Sequence, residues 1–224
     1  MVGPESSPPQ PIMSGRGILN GALTEVVFTS DGMLRWTDVK QRWLTMEKEV
    51  LGFEIQGDKI RIKALVENRD GICCFRSTED LVRKDFVFEP LTTDSQKLWC
   101  QHLRDYLDSL GRPKTLFIFV NPYGGKKKAS KIFLNVVRPL LEDAGIQMIV
   151  QETKHRLHAK EVASTLNLAK FDGIVCVSGD GTLVEVVNGL LGRQDWSTAI
   201  KMPLGIIPGA DKKYVRIQVQ EMVW

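Results

Sequence analysis

The sequence predicts an α/β chain: a parallel sheet wound by helices from about Lys114 onward, preceded by a smaller β-rich unit that ends in one helix. Three observations carry this. Between Ile18 and Pro90, short β-like runs are broken by the turn dipeptides Asp31-Gly32, Gly57-Asp58 and Asp70-Gly71. From Ser95 to Leu110, apolar residues recur at helical spacing. Beyond Leu116, continuous apolar runs alternate with amphipathic stretches, the order that folds as a parallel sheet with helices on its faces.

Met1 to Gly17 is rich in Pro, Ser and Gly, lacks the apolar stretch of a signal peptide, and reads as a disordered tail. Leu23 to Phe28 and Met33 to Trp36 flank Asp31-Gly32 as a hairpin. Phe53 to Ile55 and Ile60 to Leu65 do the same around Gly57-Asp58, the second run with clean period-two alternation. Thr93 or Asp94 can cap the helix, whose stripe is Leu98, Trp99, His102, Leu103, Tyr106, Leu107 and Leu110. Antiparallel strands closed by one C-terminal helix with an inward Trp resemble a pleckstrin-homology-like (PH-like) domain, here residues 18–110. The resemblance implies binding of a lipid headgroup or a protein; a unit that only supports its neighbour has the same pattern. Arg61, Lys63, Arg69, Arg76, Arg83 and Lys84 fit a phosphoinositide site or a solvated face equally well.

The second part, residues 111–208, runs strand Leu116 to Val120, helix Ala129 to Ala144, strand Ile146 to Val150, helix His158 to Ala169, strand Ile174 to Val177, helix Thr182 to Leu191 and strand Leu204 to Ile207. Ile132, Val136, Leu140 and Leu141 form one stripe of its first helix. This is a Rossmann-like βαβ series, and in such sheets ligands bind beyond the carboxyl ends of the strands.

With 43% hydrophobic and 25% charged residues the composition is that of an ordinary soluble protein. A net charge of +3 is too small to point to nucleic acid. Cys73, Cys74, Cys100 and Cys176 have no Cys-x-x-Cys spacing, which argues against a zinc site or a disulfide framework. No run approaches the ~18 apolar residues of a membrane span. The expectation is a cytosolic, reduced protein, with peripheral membrane contact left open.

Two loops at the strand ends carry chemistry. Ser178-Gly179-Asp180-Gly181-Thr182 joins the third strand to its helix. Its glycines allow close approach to the backbone and tolerate left-handed dihedrals, the helix start favours an anion, and Asp180 could accept a proton or sit near a metal. A plain turn with Asp180 as N-cap has the same core, but Ser178, Thr182 and Glu185 add polar groups that packing does not require. The first strand ends in Asn121-Pro122-Tyr123-Gly124-Gly125-Lys126-Lys127-Lys128, with glycines and cations beside a helix start, suited to polyphosphate. Neither the Walker A pattern nor Gly-x-Gly-x-x-Gly is present. An exposed lysine-rich turn is the simpler alternative for this loop alone.

Together, Asn121-Pro-x-Gly-Gly-Lys, Ser178-Gly-Asp-Gly-Thr-x-x-Glu-Val-Val-Asn-Gly and Pro203-Leu-Gly-Ile-Ile-Pro resemble the catalytic domain of diacylglycerol-kinase-type lipid kinases from about Leu116 to Pro208. The Ser178-Gly179 opening is similar to sphingosine kinases, the β-rich half to the extension of plant members, and Thr153-Lys154-His155-Arg156-Leu157-His158-Ala159 to a further nucleotide-contacting segment. The resemblance implies ATP with Mg²⁺, a sphingoid-base lipid as acceptor, and Asp180 as the general base on its primary hydroxyl. It implies nucleotide contacts at Asn121, Pro122, Tyr123, Gly124, Gly125, Lys126, Thr153, Lys154, His155, Arg156, Leu157 and Glu185. Ser178, Gly179, Asp180 and Gly181 would line the substrate end, with no dedicated protein metal site. His155 and His158 also fit ordinary exposed or capping roles, and His102 a helix-face role.

The chain departs from the family after Pro208. The expected Ala-Gly-Thr/Ser-Gly-Asn loop is replaced by Gly209-Ala210-Asp211-Lys212-Lys213-Tyr214, and residues 209–224 read as a divergent tail in which Val215 to Gln220 alternate with period two. On this reading the chain is C-terminally truncated relative to the family and turns over weakly or not at all, since misplacement by ~1 Å can cost on the order of a hundredfold in rate. A non-catalytic lipid- or protein-binding form, a ceramide or diacylglycerol kinase, and a kinase of a soluble acceptor such as NAD are the alternatives.

Overall fold

The computed structural model describes residues 9–38, 40–67, 81–123 and 128–208. The chain divides into two compact units, with Val82–Gly111 closing the first and the stretch from Arg112 forming most of the second. The turn at Asp70-Gly71, the bases Arg69 and Arg76, the loop residues Gly124 to Lys126 and the tail from Gly209 lie outside the described residues.

The first unit contains strands β1 (Pro11–Leu19), β2 (Ala22–Thr29), β3 (Met33–Thr37), β4 (Gln41–Thr45), β5 (Val50–Gln56), β6 (Lys59–Glu67) and β7 (Leu81–Pro90), then helix α1 (Thr93–Ser109). The strands form one sheet in the order β4-β3-β2-β1-β7-β6-β5. The expected tail is therefore corrected: residues 11–17 are strand, antiparallel to β2 from Pro11↔Thr29 to Gly17↔Thr24. The cause is Asn20-Gly21. Both residues have positive φ, 49° and 87°, the combination a two-residue mirror-image turn demands because its twist matches that of the strands. The Asn20 side-chain oxygen accepts from the Val87 N–H at 3.0 Å, and the Asn20 N–H donates to the Val87 carbonyl at 2.8 Å, pinning this hairpin to β7.

Helix α1 starts at Thr93, two residues earlier than expected. Its cap is Thr92, which keeps extended dihedrals and accepts from the Ser95 N–H at 3.1 Å; Thr93 and Asp94 lie inside the first turn. Trp99 is fully buried and meets Phe88 edge-on, at 5.2 Å between ring centres. Leu103 is buried beside it, whereas Leu98 is 51% exposed and lies off the inward stripe. Three of the bases are already engaged: Arg61 with Asp85 at 3.0 Å, Lys63 with Glu54 at 3.0 Å, and Lys84 over the Phe86 ring at 5.5 Å. Among the described residues, this leaves little of a free cationic cluster on that stretch.

The second unit contains strands β8 (Thr115–Val120), β9 (Gln147–Glu152), β10 (Gly173–Ser178) and β11 (Leu204–Pro208). Its helices are α2 (Ala129–Ile132), a π turn (Phe133–Val137) running into α3 (Arg138–Asp143), then α4 (His158–Thr165), α5 (Asp180–Leu191) and α6 (Trp196–Ala199). The sheet order is β11-β10-β8-β9, parallel throughout. β8 and β10 are buried along nearly their whole length, as their unbroken apolar sequence requires. The π turn has a local cause: Pro139 has no N–H for the Asn135 carbonyl and its ring crowds that oxygen, so the helical ladder slips by one residue. Among the described residues no helix is long and apolar enough to cross a membrane.

Two side-chain anchors hold this frame. Asp172 accepts from the N–H groups of Lys114 and Thr115 at 2.7 and 2.8 Å and ties the start of β8 to β10. Arg193 donates to the carbonyls of Ala163, Ser164 and Leu166 at the end of α4, and is gripped by Asp195 at 2.7 and 3.1 Å. The Arg193 hydrogen bond holds the Asp195 carboxyl below its usual range. Such a group stabilises the fold above the ordinary carboxylate pKa and loses that contribution as the pH falls through its lowered value. Helices α4 and α5 pack at close range: a Cβ on Gly189 would sit 2.6 Å from the Lys160 carbonyl.

Candidate active site

The sheet order reverses direction between β8 and β10, since β9 lies to one side of β8 while β10 and β11 lie to the other. The crevice at such a switch point, beyond the carboxyl ends of the strands, is where doubly wound sheets bind ligands. The loops expected to carry chemistry leave from these ends: residues 121–128 from β8, and 178–180 from β10.

Side chains join them. The Asn121 N–H donates to the Val177 carbonyl at 3.2 Å, so the loop after β8 continues alongside β10 for one more residue. The Asn121 side-chain amide donates to the hydroxyl of Thr182 at 3.1 Å, and its oxygen accepts from the Tyr123 N–H at 3.0 Å. Pro122 is half-buried and Tyr123 is 70% exposed.

The segment after β9 joins the same cluster. Thr153 is buried and donates its N–H to the Val120 carbonyl at 2.9 Å. The Lys154 N–H donates to Nδ1 of His158 at 3.1 Å, so the first residue of α4 holds the segment that leads into it. His155 stacks on His158 with ring centres 4.8 Å apart and lies 3.7 Å from Glu161. Leu157 has a left-handed backbone, φ 67°, a conformation that costs a non-glycine residue roughly 1–2 kcal/mol. Its N–H donates to Oε1 of Glu185 at 3.0 Å. Lys154 and Arg156 are exposed between these two fixed points.

At the third loop, Ser178 is completely buried, and its hydroxyl donates to the Gly179 carbonyl at 2.7 Å. It shapes the turn instead of facing open space, in contrast to the substrate-lining role expected for it. Gly179 is the N-cap of α5, with φ −81°, and Asp180 is the first residue of the helix, so Asp180 is not the cap. Neither Gly179 nor Gly181 is left-handed, contrary to the reason first given for them. Among the described residues, a Cβ built on either would meet nothing within 4 Å. No described neighbour requires glycine at these positions; a group bound against the bare turn would. Asp180 is exposed, and its Oδ1 accepts from the Gly181 N–H at 3.0 Å.

The structure thus brings together Asn121 to Tyr123, Thr153 to Leu157, Asp180 and Glu185, and turns Ser178 inward. Thr182 and His158 hold two of the loops, whereas the sequence offered Thr182 only as a polar neighbour and His158 only as a member of the Thr153–Ala159 segment or an exposed or capping group. Cys176 lies beneath the site on β10; burial pushes its thiol up to about 12, so it remains a neutral packing group. His102 is half-buried on α1. Among the described residues no group of three or more His, Cys, Asp or Glu could hold a metal ion. The bare turn and the amides opening α5 suit the oxygens of a polyphosphate, and a divalent ion would come with them.

Residues 115–210 match the diacylglycerol kinase catalytic domain. Over 201 residues the chain is 55% identical to sphingosine kinase 1 of Arabidopsis thaliana, covering 90% of this chain and 41% of that protein. Sphingosine kinase 2 of the same plant is 55% identical over 89% of this chain and 42% of its own length. Human ceramide kinase is 42% identical over 50% of this chain and 23% of its own. The chain spans about two fifths of the length of the plant relatives. With the diacylglycerol kinase catalytic domain and this identity running through both units, the chain belongs to the sphingosine kinase family.

Proposed function

We propose that this chain carries the nucleotide site and the general base of an ATP-dependent lipid kinase that phosphorylates the primary hydroxyl of sphingosine or a related sphingoid base. The observation that carries the reading is the meeting of three loops at the sheet's switch point, joined by Asn121–Thr182 and Leu157–Glu185, around an exposed carboxylate on a bare glycine turn. The 55% identity to the plant sphingosine kinases across about nine tenths of this chain supports a sphingoid base as acceptor.

ATP supplies the phosphoryl group, and Mg²⁺ offsets the charge on its phosphates. The residues at hand do the rest. Asn121 to Tyr123 and the segment Thr153 to Leu157 hold the nucleotide, with the lysine-rich stretch beside Gly124 and Gly125 adding positive charge. The first amides of α5 and its positive dipole end stabilise negative charge that develops at the turn. Asp180 accepts the proton of the attacking hydroxyl as the oxygen bonds to phosphorus, and the carboxylate becomes a neutral acid. A lipid acceptor is compatible with peripheral membrane contact.

The test is a panel of sphingosine, ceramide, diacylglycerol and NAD incubated with γ-labelled ATP and the purified chain. The expected product is a labelled sphingoid-base phosphate, and the same assay reads whether transfer is as slow as the sequence suggests. Label on NAD alone would sink the lipid-kinase reading, and bound ATP with no labelled product would assign the chain to the non-catalytic form.

A further inference from the structure

Resting on the nucleotide-site reading above, we propose that His158 is a positioning residue that sets the Lys154–Leu157 segment for ATP, and that its protonation releases the segment and weakens nucleotide binding in mild acid. The segment is short and lies exposed between two hydrogen bonds to its backbone. At its start the Lys154 N–H donates to Nδ1 of His158 at 3.1 Å; at its end the Leu157 N–H donates to Glu185 at 3.0 Å. The strained left-handed turn at Leu157 lies between them and α4. A strained residue persists only where its surroundings over-determine it. Here the surroundings include these two acceptors, together with the Glu161 N–H donating to the Leu157 carbonyl at 3.0 Å and the His158 N–H to the His155 carbonyl at 3.3 Å.

The two acceptors differ in one respect. An imidazole, unlike a carboxylate, is the side chain whose charge changes between about pH 5 and 8, and it loses its acceptor when it does. The Lys154 bond therefore requires an unprotonated Nδ1, with the ring hydrogen on Nε2. Protonation turns Nδ1 into a donor facing a donor. It also adds a positive charge 4.8 Å from the His155 ring, on a segment that already holds Lys154 and Arg156. The remaining charged groups on the packed elements are Lys160 and Glu161 on α4 and Asp180 and Glu185 on α5, Asp180 accepting from the Gly181 N–H at 3.0 Å. Glu161 lies 3.7 Å from His155 Nε2, and Glu185 is committed to Leu157. The nearby acids thus face His155 and Leu157, and the Lys154 amide depends on His158.

ATP with Mg²⁺ titrated calorimetrically into the 224-residue chain at pH 7.5 and pH 5.5 tests this, with His158→Asn and His158→Ala as variants. Asn places its side-chain oxygen where Nδ1 stands and does not titrate. Wild type should bind roughly fivefold more weakly at pH 5.5, about one ordinary hydrogen bond. His158→Asn should bind like wild type at pH 7.5 with no loss in acid, and His158→Ala should be weak at both values. The Lys154 amide resonance gives a readout independent of binding: it should titrate in wild type and not in His158→Asn. Equal pH dependence in wild type and His158→Asn, or wild-type affinity in a folded His158→Ala, would overturn the inference while leaving the nucleotide site standing. No ATP binding by wild type at either pH would overturn both.

Discussion

Asp180→Asn is expected to bring whatever phosphoryl transfer to sphingosine the wild-type chain supports down to assay background, a fall of about a hundredfold where the wild-type rate is high enough to show it, while ATP binding stays within about twofold of wild type. The amide keeps the size of the carboxylate and can still accept from the Gly181 N–H, the contact that Asp180 makes at 3.0 Å. It cannot take up a proton. The expected signature is lost transfer with retained nucleotide affinity, measured by label incorporation and calorimetry on the same preparation. If Asp180 acted mainly by bringing a metal-bound nucleotide to the turn, affinity and transfer would fall together.

Gly179→Val should produce the second large effect by a different route. Gly179 has dihedrals that any residue can adopt, and among the described residues a Cβ there meets nothing within 4 Å. The substitution should therefore cost about 1 kcal/mol or less, the difference between glycine and an apolar residue at a helix N-cap. The isopropyl group would occupy the space over the turn that the bound substrate needs. Transfer should drop on the order of a hundredfold with the unfolding midpoint nearly unchanged. A large loss of stability, or wild-type transfer, would mean that the open side of this turn is not where substrate sits.

What could be read from the sequence depended on how local the cause was. The parallel lobe was legible because strands buried on both faces are written as unbroken apolar runs, as Leu116 to Val120 and Ile174 to Val177 are. The hairpins around Asp31-Gly32 and Gly57-Asp58 were legible from the same few residues that make the turns. The strand before Asn20-Gly21 was also within reach, because that dipeptide implies a partner on each side; the Pro- and Gly-rich composition of the segment outweighed it. The PH-like unit's bases could not be judged from sequence, since Arg61 is neutralised by an acid 24 positions away on another strand.

The site divides in the same way. Its residue types were visible at the loops, but the bonds that assemble them are long-range: Asn121 reaches Thr182 across 61 positions, and Leu157 reaches Glu185 across 28. A left-handed leucine has no sequence signature, because leucine is not a residue that seeks that conformation. Ser178 looked like a ligand-facing hydroxyl in the motif. Its burial follows from being the last residue of β10, paired with Pro208 of β11, and so still part of the sheet.

Whether three separate loops form one nucleotide site at the switch point can be read by amide hydrogen exchange on the 224-residue chain, with and without ATP and Mg²⁺. ATP should slow exchange together in residues 121–123, 153–158 and 179–185, leaving the strands of the first unit unchanged. Protection confined to one of these segments, or falling on residues 9–67 instead, would contradict it.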